Sequence, residues 1–272
     1  MGDNVPSGNS PPGSVGYTNN FFTISGSGED IEDTADAFYF VHQPLAGDGQ
    51  IVARVLSVQG SDPQAEAGIM IRESLAAGSK HAFLRLNTTT NAAFRRRLTN
   101  DEYSVATGVT GTNRTWLRLT RLGNTFIAHC STNGTNWDYV WFTTINMSST
   151  VEVGLAVTAH HNGLLATGRV DNVSIGALSP LPGVWPLVGP KLLLGGEPSP
   201  RAEIQRIGGF KLLLAGVVGD AFTIKGSTNV AAPFASWPVV GTVTNTYGVV
   251  PLLDTQALVA PRLFYRAQKV GP

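Results

Sequence analysis

A single cysteine, Cys130, stands among 272 residues, which excludes a disulfide within the chain. Charge is scarce as well. Only 14% of residues are Asp, Glu, Lys or Arg, and Lys+Arg 19 balance Asp+Glu 19. A chain without net charge has no electrostatic footprint for nucleic acid or an anionic membrane surface, so neither is expected as a partner. Weak colloidal repulsion instead favours self-association. No apolar run approaches the roughly 20 residues of a membrane-spanning helix, which excludes membrane insertion by that route. Met1-Gly2-Asp3 does not open a signal peptide, so the protein is either cytosolic or had a leader removed ahead of this chain, and the Thr-, Asn- and Gly-rich composition favours the second. Also missing are a Gly-x-Ser-x-Gly elbow, a Gly-Lys phosphate loop, a His-Glu-x-x-His helix and any helical period of useful length.

What is present is β structure. Hydrophobic residues make up 42% of the chain, enough for two cores, and Gly 31 and Pro 16 supply turns. One pattern occurs twice: Ser131-Thr132-Asn133-Gly134 before Trp137, and Ser227-Thr228-Asn229 before Trp237. Each follows an alternating run (Phe126, Ala128, Cys130; Phe222, Ile224), so each reads as a hairpin, with Asn133-Gly134 expected in a tight primed turn. Cys130 then points into a core. The clearest alternation places Val151, Val153, Leu155, Val157 and Ala159 inward. Closely spaced strands from Phe21 to Ile175 suit a sandwich.

Four segments follow. Residues 1–16 read as a flexible polar arm, 17–177 as a β-sandwich, 178–200 as a Pro/Gly-rich linker and 201–272 as a small Ig-like β-sandwich. The linker is unusual in carrying Val184, Trp185, Leu187, Val188 and Leu192 to Leu194. Those side chains require cover, either within the chain or by another copy.

Residues 15–177 resemble a bacterial concanavalin A-like or laminin G-like module. The resemblance is carried by Phe22 to Gly28, Thr34 to Phe38, Gly47-Asp48-Gly49, Ala67 to Ser74, Ser79 to Phe83, Ser131 to Trp137, Gly154 to Thr158 and Asp171-Asn172-Val173. The tail, with Trp237, Asp254 and Arg262 to Arg266, is similar to a short β unit that ends secreted proteins of Verrucomicrobia-like bacteria. The resemblance implies an all-β fold, a concanavalin A-like jelly roll plus the small C-terminal domain, in an extracellular, sugar-associated setting. Asn133 stands where the family hairpin commonly has Asp, which puts a carboxylate contact there in doubt.

The acidic run Glu29-Asp30-Ile31-Glu32-Asp33, with Asp36, offers hard oxygen ligands, and Asp30, Asp33 and Asp36 are the candidate set for a structural calcium; no cofactor is otherwise required. A solvated acidic loop is the alternative reading. A glycan site is expected on an outward sheet face. With Leu117 and Leu119 inward, Trp116 and Arg118 point out, and with Cys130 inward so does His129; Arg72, Phe83 and Arg85 join them from nearby strands. An aromatic ring stacks on a sugar face and guanidinium forks bind hydroxyls or a uronate. The competing reading buries Trp116 under a loop and pairs the arginines with Glu73, Asp101 or Glu102. The expected function is therefore non-catalytic binding of a polysaccharide or surface glycan. Self-assembly into a filament or surface layer is the alternative, and glycoside hydrolysis the third reading.

Overall fold

The computed structural model describes residues 2–4, 10–108, 113–179, 191–194, 209–258 and 264–271, with the backbone alone at 2–4 and 191–194. The chain divides into two compact units, Met1–Leu178 and Ser179–Pro272. The first unit is built from strands β1 (Gly2–Asn4), β2 (Ser14–Thr18), β3 (Phe21–Gly28), β4 (Tyr39–Ala46), β5 (Gly49–Gln59), β6 (Glu66–Arg72) and β7 (His81–Asn87). It continues through β8 (Ala92–Arg97), β9 (Val105–Gly108), β10 (Trp116–Leu122), β11 (Thr125–Ser131), β12 (Asp138–Thr144), β13 (Thr150–Thr158) and β14 (His161–Gly176). Two antiparallel seven-stranded sheets result. Sheet I has the order β1-β4-β13-β6-β7-β8-β9 and sheet II the order β12-β11-β10-β5-β14-β3-β2.

Alternation decides what lies between them. Ile69 and Ile71 of β6, Leu84 of β7 and Val153, Leu155 and Val157 of β13 meet Leu117, Leu119, Phe126, Ala128 and Cys130 in one buried core. Each large aliphatic side chain withdrawn from water there contributes about 1.5 to 3 kcal/mol, which is why a period-two pattern fixes strand register so firmly. The inward alternations expected on β10, β11 and β13 are observed.

Two local expectations are corrected. Part of the arm is ordered: β1 pairs with β4 and β2 with β3. The tight two-residue turn is not at Asn133-Gly134 but at Asn19-Asn20, which join β2 to β3 with φ of 53° and 64°. Both central residues of a primed turn need positive φ, and asparagine tolerates it. At the other site only Gly134 is left-handed (φ 76°), and side chains shape the loop. Ser131 Oγ accepts from the Asn133 and Gly134 amides, and Asn133 Oδ1 accepts from those of Thr135 and Asn136.

The second unit contains β15 (Lys191–Leu194), β16 (Phe210–Ala215), β17 (Ala221–Ser227), β18 (Val239–Thr244), β19 (Val249–Asp254) and β20 (Phe264–Lys269), arranged in two three-stranded sheets. Leu212, Leu214, Phe222 and Ile224 form its core. The repeated turn recurs here, with Ser227 Oγ accepting from Asn229 N–H and Asn229 Oδ1 from Ala231 N–H, while buried Trp237 donates to the Ala232 carbonyl at 2.9 Å. Of the expected linker, Lys191–Leu194 is a strand paired with β16; Val184, Trp185, Leu187 and Val188 lie outside the described residues. Among the described residues no helix is long and apolar enough to cross a membrane.

Candidate functional site

The six residues expected on one face are divided between the outer faces of the two sheets. Arg72 (β6), Phe83 and Arg85 (β7) lie on sheet I, whereas Trp116, Arg118 (β10) and His129 (β11) lie on sheet II. Outward does not mean exposed here.

On sheet I the cause is the connection between β3 and β4. Its Ile31 and Phe38 pack with Phe40, Met70, Phe83 and Ala156, so Phe83 is buried beneath it. Asp36 descends from the same connection onto Arg97 of β8, whose guanidinium donates to both carboxylate oxygens at 2.8 and 2.7 Å and to the Glu32, Asp33 and Glu102 carbonyls at 2.9, 3.0 and 2.8 Å. Arg72 adds a bond to Asp36 at 3.2 Å, and His81 lies 3.3 Å from it. Burial alone would raise the Asp36 carboxyl, but His81, Arg97 and Arg72 hold it down at about 2. The expected calcium set is not assembled: Asp36 is consumed by arginines, Asp33 contributes its carbonyl to Arg97 while its side chain is exposed, and Asp30 accepts from the adjacent Ile31 amide. Among the described residues no three His, Cys, Asp or Glu side chains converge as a metal site. A guanidinium fork, with five fixed donors, ties the connection down at Asp36.

A second buried pair sits beside it. Glu66 of β6 lies 2.9 Å from Arg85 Nε and 3.6 Å from Arg95 Nη2, and Arg95 reaches on to Glu32 at 2.5 Å. Burial pushes the Glu66 carboxyl up to about 7 against the pull of both guanidinium groups. The arginines of sheet I thus pair with Asp36, Glu66 and Glu32, not with the acids expected from sequence.

Sheet II is no more open at the expected residues. Arg118 is almost wholly buried and its pKa is pushed down to about 10 by desolvation; His129, fully buried, falls to about 3 by burial and by the charge of Arg118. Trp116 is half-buried. Gly134 approaches its ring so closely that a Cβ there would lie 2.8 Å from the indole, and the Arg54 guanidinium sits 5.4 Å from the ring centroid.

The accessible geometry lies instead at the β2–β3–β14 margin, which the sequence reading did not select. Val15 and Tyr17 pair with core-facing Ile24 and Phe22 and share their face, yet they are 43% and 61% exposed. Tyr17 leans on Phe22 with ring centroids 4.7 Å apart. Beside it, a bulge in β14 between Asp171 and Ser174 re-aims Asn172 and Val173, as bulges near sites often do. A depression of about 470 Å³ lies here, lined by Tyr17, Asn20, Phe22, Asp171, Asn172 and Val173. Arg54 grips both oxygens of Asp171, at 2.8 and 2.5 Å, which holds that carboxyl below its usual range. The ionised carboxylate keeps spare lone pairs for hydroxyl donors. A second cleft of about 360 Å³ runs between the two sheets from the same point, with Val41, Val153, Leu155 and Ile175 among its walls.

The signal that would have found this margin was modest: Asn19-Asn20 flanked by Tyr17 and Phe22, inside a segment otherwise rich in Gly, Ser and Pro.

No protein-family model matches the chain, and no curated protein matches it. Solved structures do. A functionally unknown protein from Saccharomyces cerevisiae superposes with a TM-score of 0.51 at 16% identity over 65% of this chain and 95% of that one. A legume lectin-like domain from Entamoeba histolytica matches at 0.41 and 10% identity, over 61% of this chain and 88% of that one. The lectin from Bauhinia forficata in complex with GalNAc matches at 0.37 and 10% identity, over 65% and 98%. The first unit, with its two seven-stranded antiparallel sheets, is an all-β sandwich.

Proposed function

We propose that the first unit binds carbohydrate without catalysis, at the β2–β3–β14 margin, and acts outside the cell. One observation carries the reading: Tyr17, exposed on its strand, stands over a depression whose polar wall is Asp171, Asn172 and Asn20. An aromatic face beside oriented carboxylate and amide groups matches a pyranose, which has apolar C–H faces and a hydroxyl rim. The non-catalytic part rests on the acids of sheet I, since Asp36 and Glu66 are each enclosed by arginines and do not face one another as an acid and a nucleophile must. A glycan array followed by titration calorimetry tests it. Tyr17→Ala should weaken the strongest binder about tenfold, the scale of one lost stack, with an unchanged circular dichroism spectrum. Binding undiminished in Tyr17→Ala would place the site elsewhere.

Self-assembly is the second reading, supported by β2 standing last in its sheet with every side chain exposed. Exposed strand edges add strands from other chains. Light scattering at micromolar concentration tests it, and a monomer throughout would dismiss it.

A further inference from the structure

We propose that the ligand is an amphiphile, a sugar carrying an apolar chain, with the sugar over Tyr17 and the chain inserted between the sheets; this deepens the carbohydrate reading and rests on it. The two depressions share Tyr17, Phe22 and Val173, so they adjoin and offer one ligand two chemically different ends. The outer end offers Asp171, Asn172 and Asn20. The inner end is walled by Val41, Val153, Leu155 and Ile175.

The inner end exists because the sandwich closes imperfectly here. Val153 and Leu155 are buried, but Phe22, Val41, Val173 and Ile175 pack against the core only in part. On the opposite wall Val15 and Tyr17 turn core-facing positions towards a space that sheet I does not fill. Water against the aliphatic part of this wall finds few hydrogen-bond partners, although His42 and Gln43 line the cleft beside it. An alkyl or acyl chain gains by displacing it. A bare sugar leaves the inner end unused, and a bare hydrocarbon leaves the polar outer end unused. Only a ligand with both parts meets both walls. Its volume of about 360 Å³ falls at the lower end of ligand pockets, which suits one chain rather than several.

The probe is a series of alkyl β-D-glucosides from methyl to octyl, titrated below their micelle concentrations against the full chain, with 1,2-octanediol as the sugar-free control. Affinity should rise about fourfold for each methylene added beyond butyl, the increment for burying one methylene. Ile175→Trp, which fills the cleft from a position outside the sugar depression, should abolish that rise and leave methyl glucoside unaffected; circular dichroism reports whether the variant folds. Equal affinity for methyl and octyl glucoside overturns the inference and leaves the carbohydrate reading standing. A chain-length dependence that survives in folded Ile175→Trp also overturns it, because the chain then binds elsewhere. Octanediol binding as tightly as octyl glucoside overturns both, since no sugar is being read.

Discussion

Arg97 holds both oxygens of Asp36, at 2.8 and 2.7 Å, and neither side chain is exposed to solvent. Arg72 and His81 crowd the same carboxylate, so its removal would strand buried positive charge. Breaking such a pair costs more than the pair itself is worth. Asp36→Asn should therefore lower unfolding free energy by about 3 to 5 kcal/mol in urea titrations. A loss below about 1 kcal/mol would mean that water reaches the cluster.

Two carboxylates with opposite shifts give stability a pH signature. Asp36, held below its unfolded value, contributes stability that is present above pH 4 and lost as pH falls towards about 2. Glu66 runs the other way: its pKa is raised to about 7, so the folded state gains from its proton and loses that advantage between about pH 4.5 and 7. The wild-type chain should lose roughly 3 kcal/mol across that interval from Glu66. Glu66→Gln should flatten the profile of melting temperature against pH there. An identical slope in both proteins would assign the titration to another group.

Trp116 packs against the turn at Gly134. Gly134 combines a left-handed φ of 76° with close approach to the indole, so Gly134→Ala meets backbone strain and a clash together. A destabilisation of about 2 kcal/mol is expected, larger than a simple loss of glycine freedom. Calorimetric melting checks this, and a neutral effect would show that the loop shifts freely.

Limited trypsin treatment should leave a stable fragment ending between residues 178 and 206, because the first unit has a complete core of its own. Mass spectrometry identifies it. Cleavage first inside residues 17–177 would refute the boundary.

Much of the sandwich was legible in the sequence, and the reason is physical: alternate residues of β7, β10, β11 and β13 face the core between the sheets, so their pattern is written in hydrophobicity. Strands β1, β2 and β9 are three to five residues long, too short to show a period, and β2 buries nothing. The site was less legible for two separate reasons. Alternation tells which side of a strand a residue takes but not which sheet the strand joins, and β6–β7 and β10–β11 fall in opposite sheets. Nor does it foresee that the β3–β4 connection folds over sheet I and hides Arg72 and Phe83. At Tyr17 the error was reversed: a core-facing position stayed open because the facing sheet does not cover it.

The fork of Arg97 has a practical corollary. A loop tied down by a metal loosens wherever chelators or scarcity strip the ion away, and its order then reports on its surroundings. Here the cation is a side chain, copied with the gene and present from the moment β8 is synthesised. The tie between the β3–β4 connection and sheet I should thus survive dialysis, chelation and dilution unchanged, and yield only to acid strong enough to protonate Asp36.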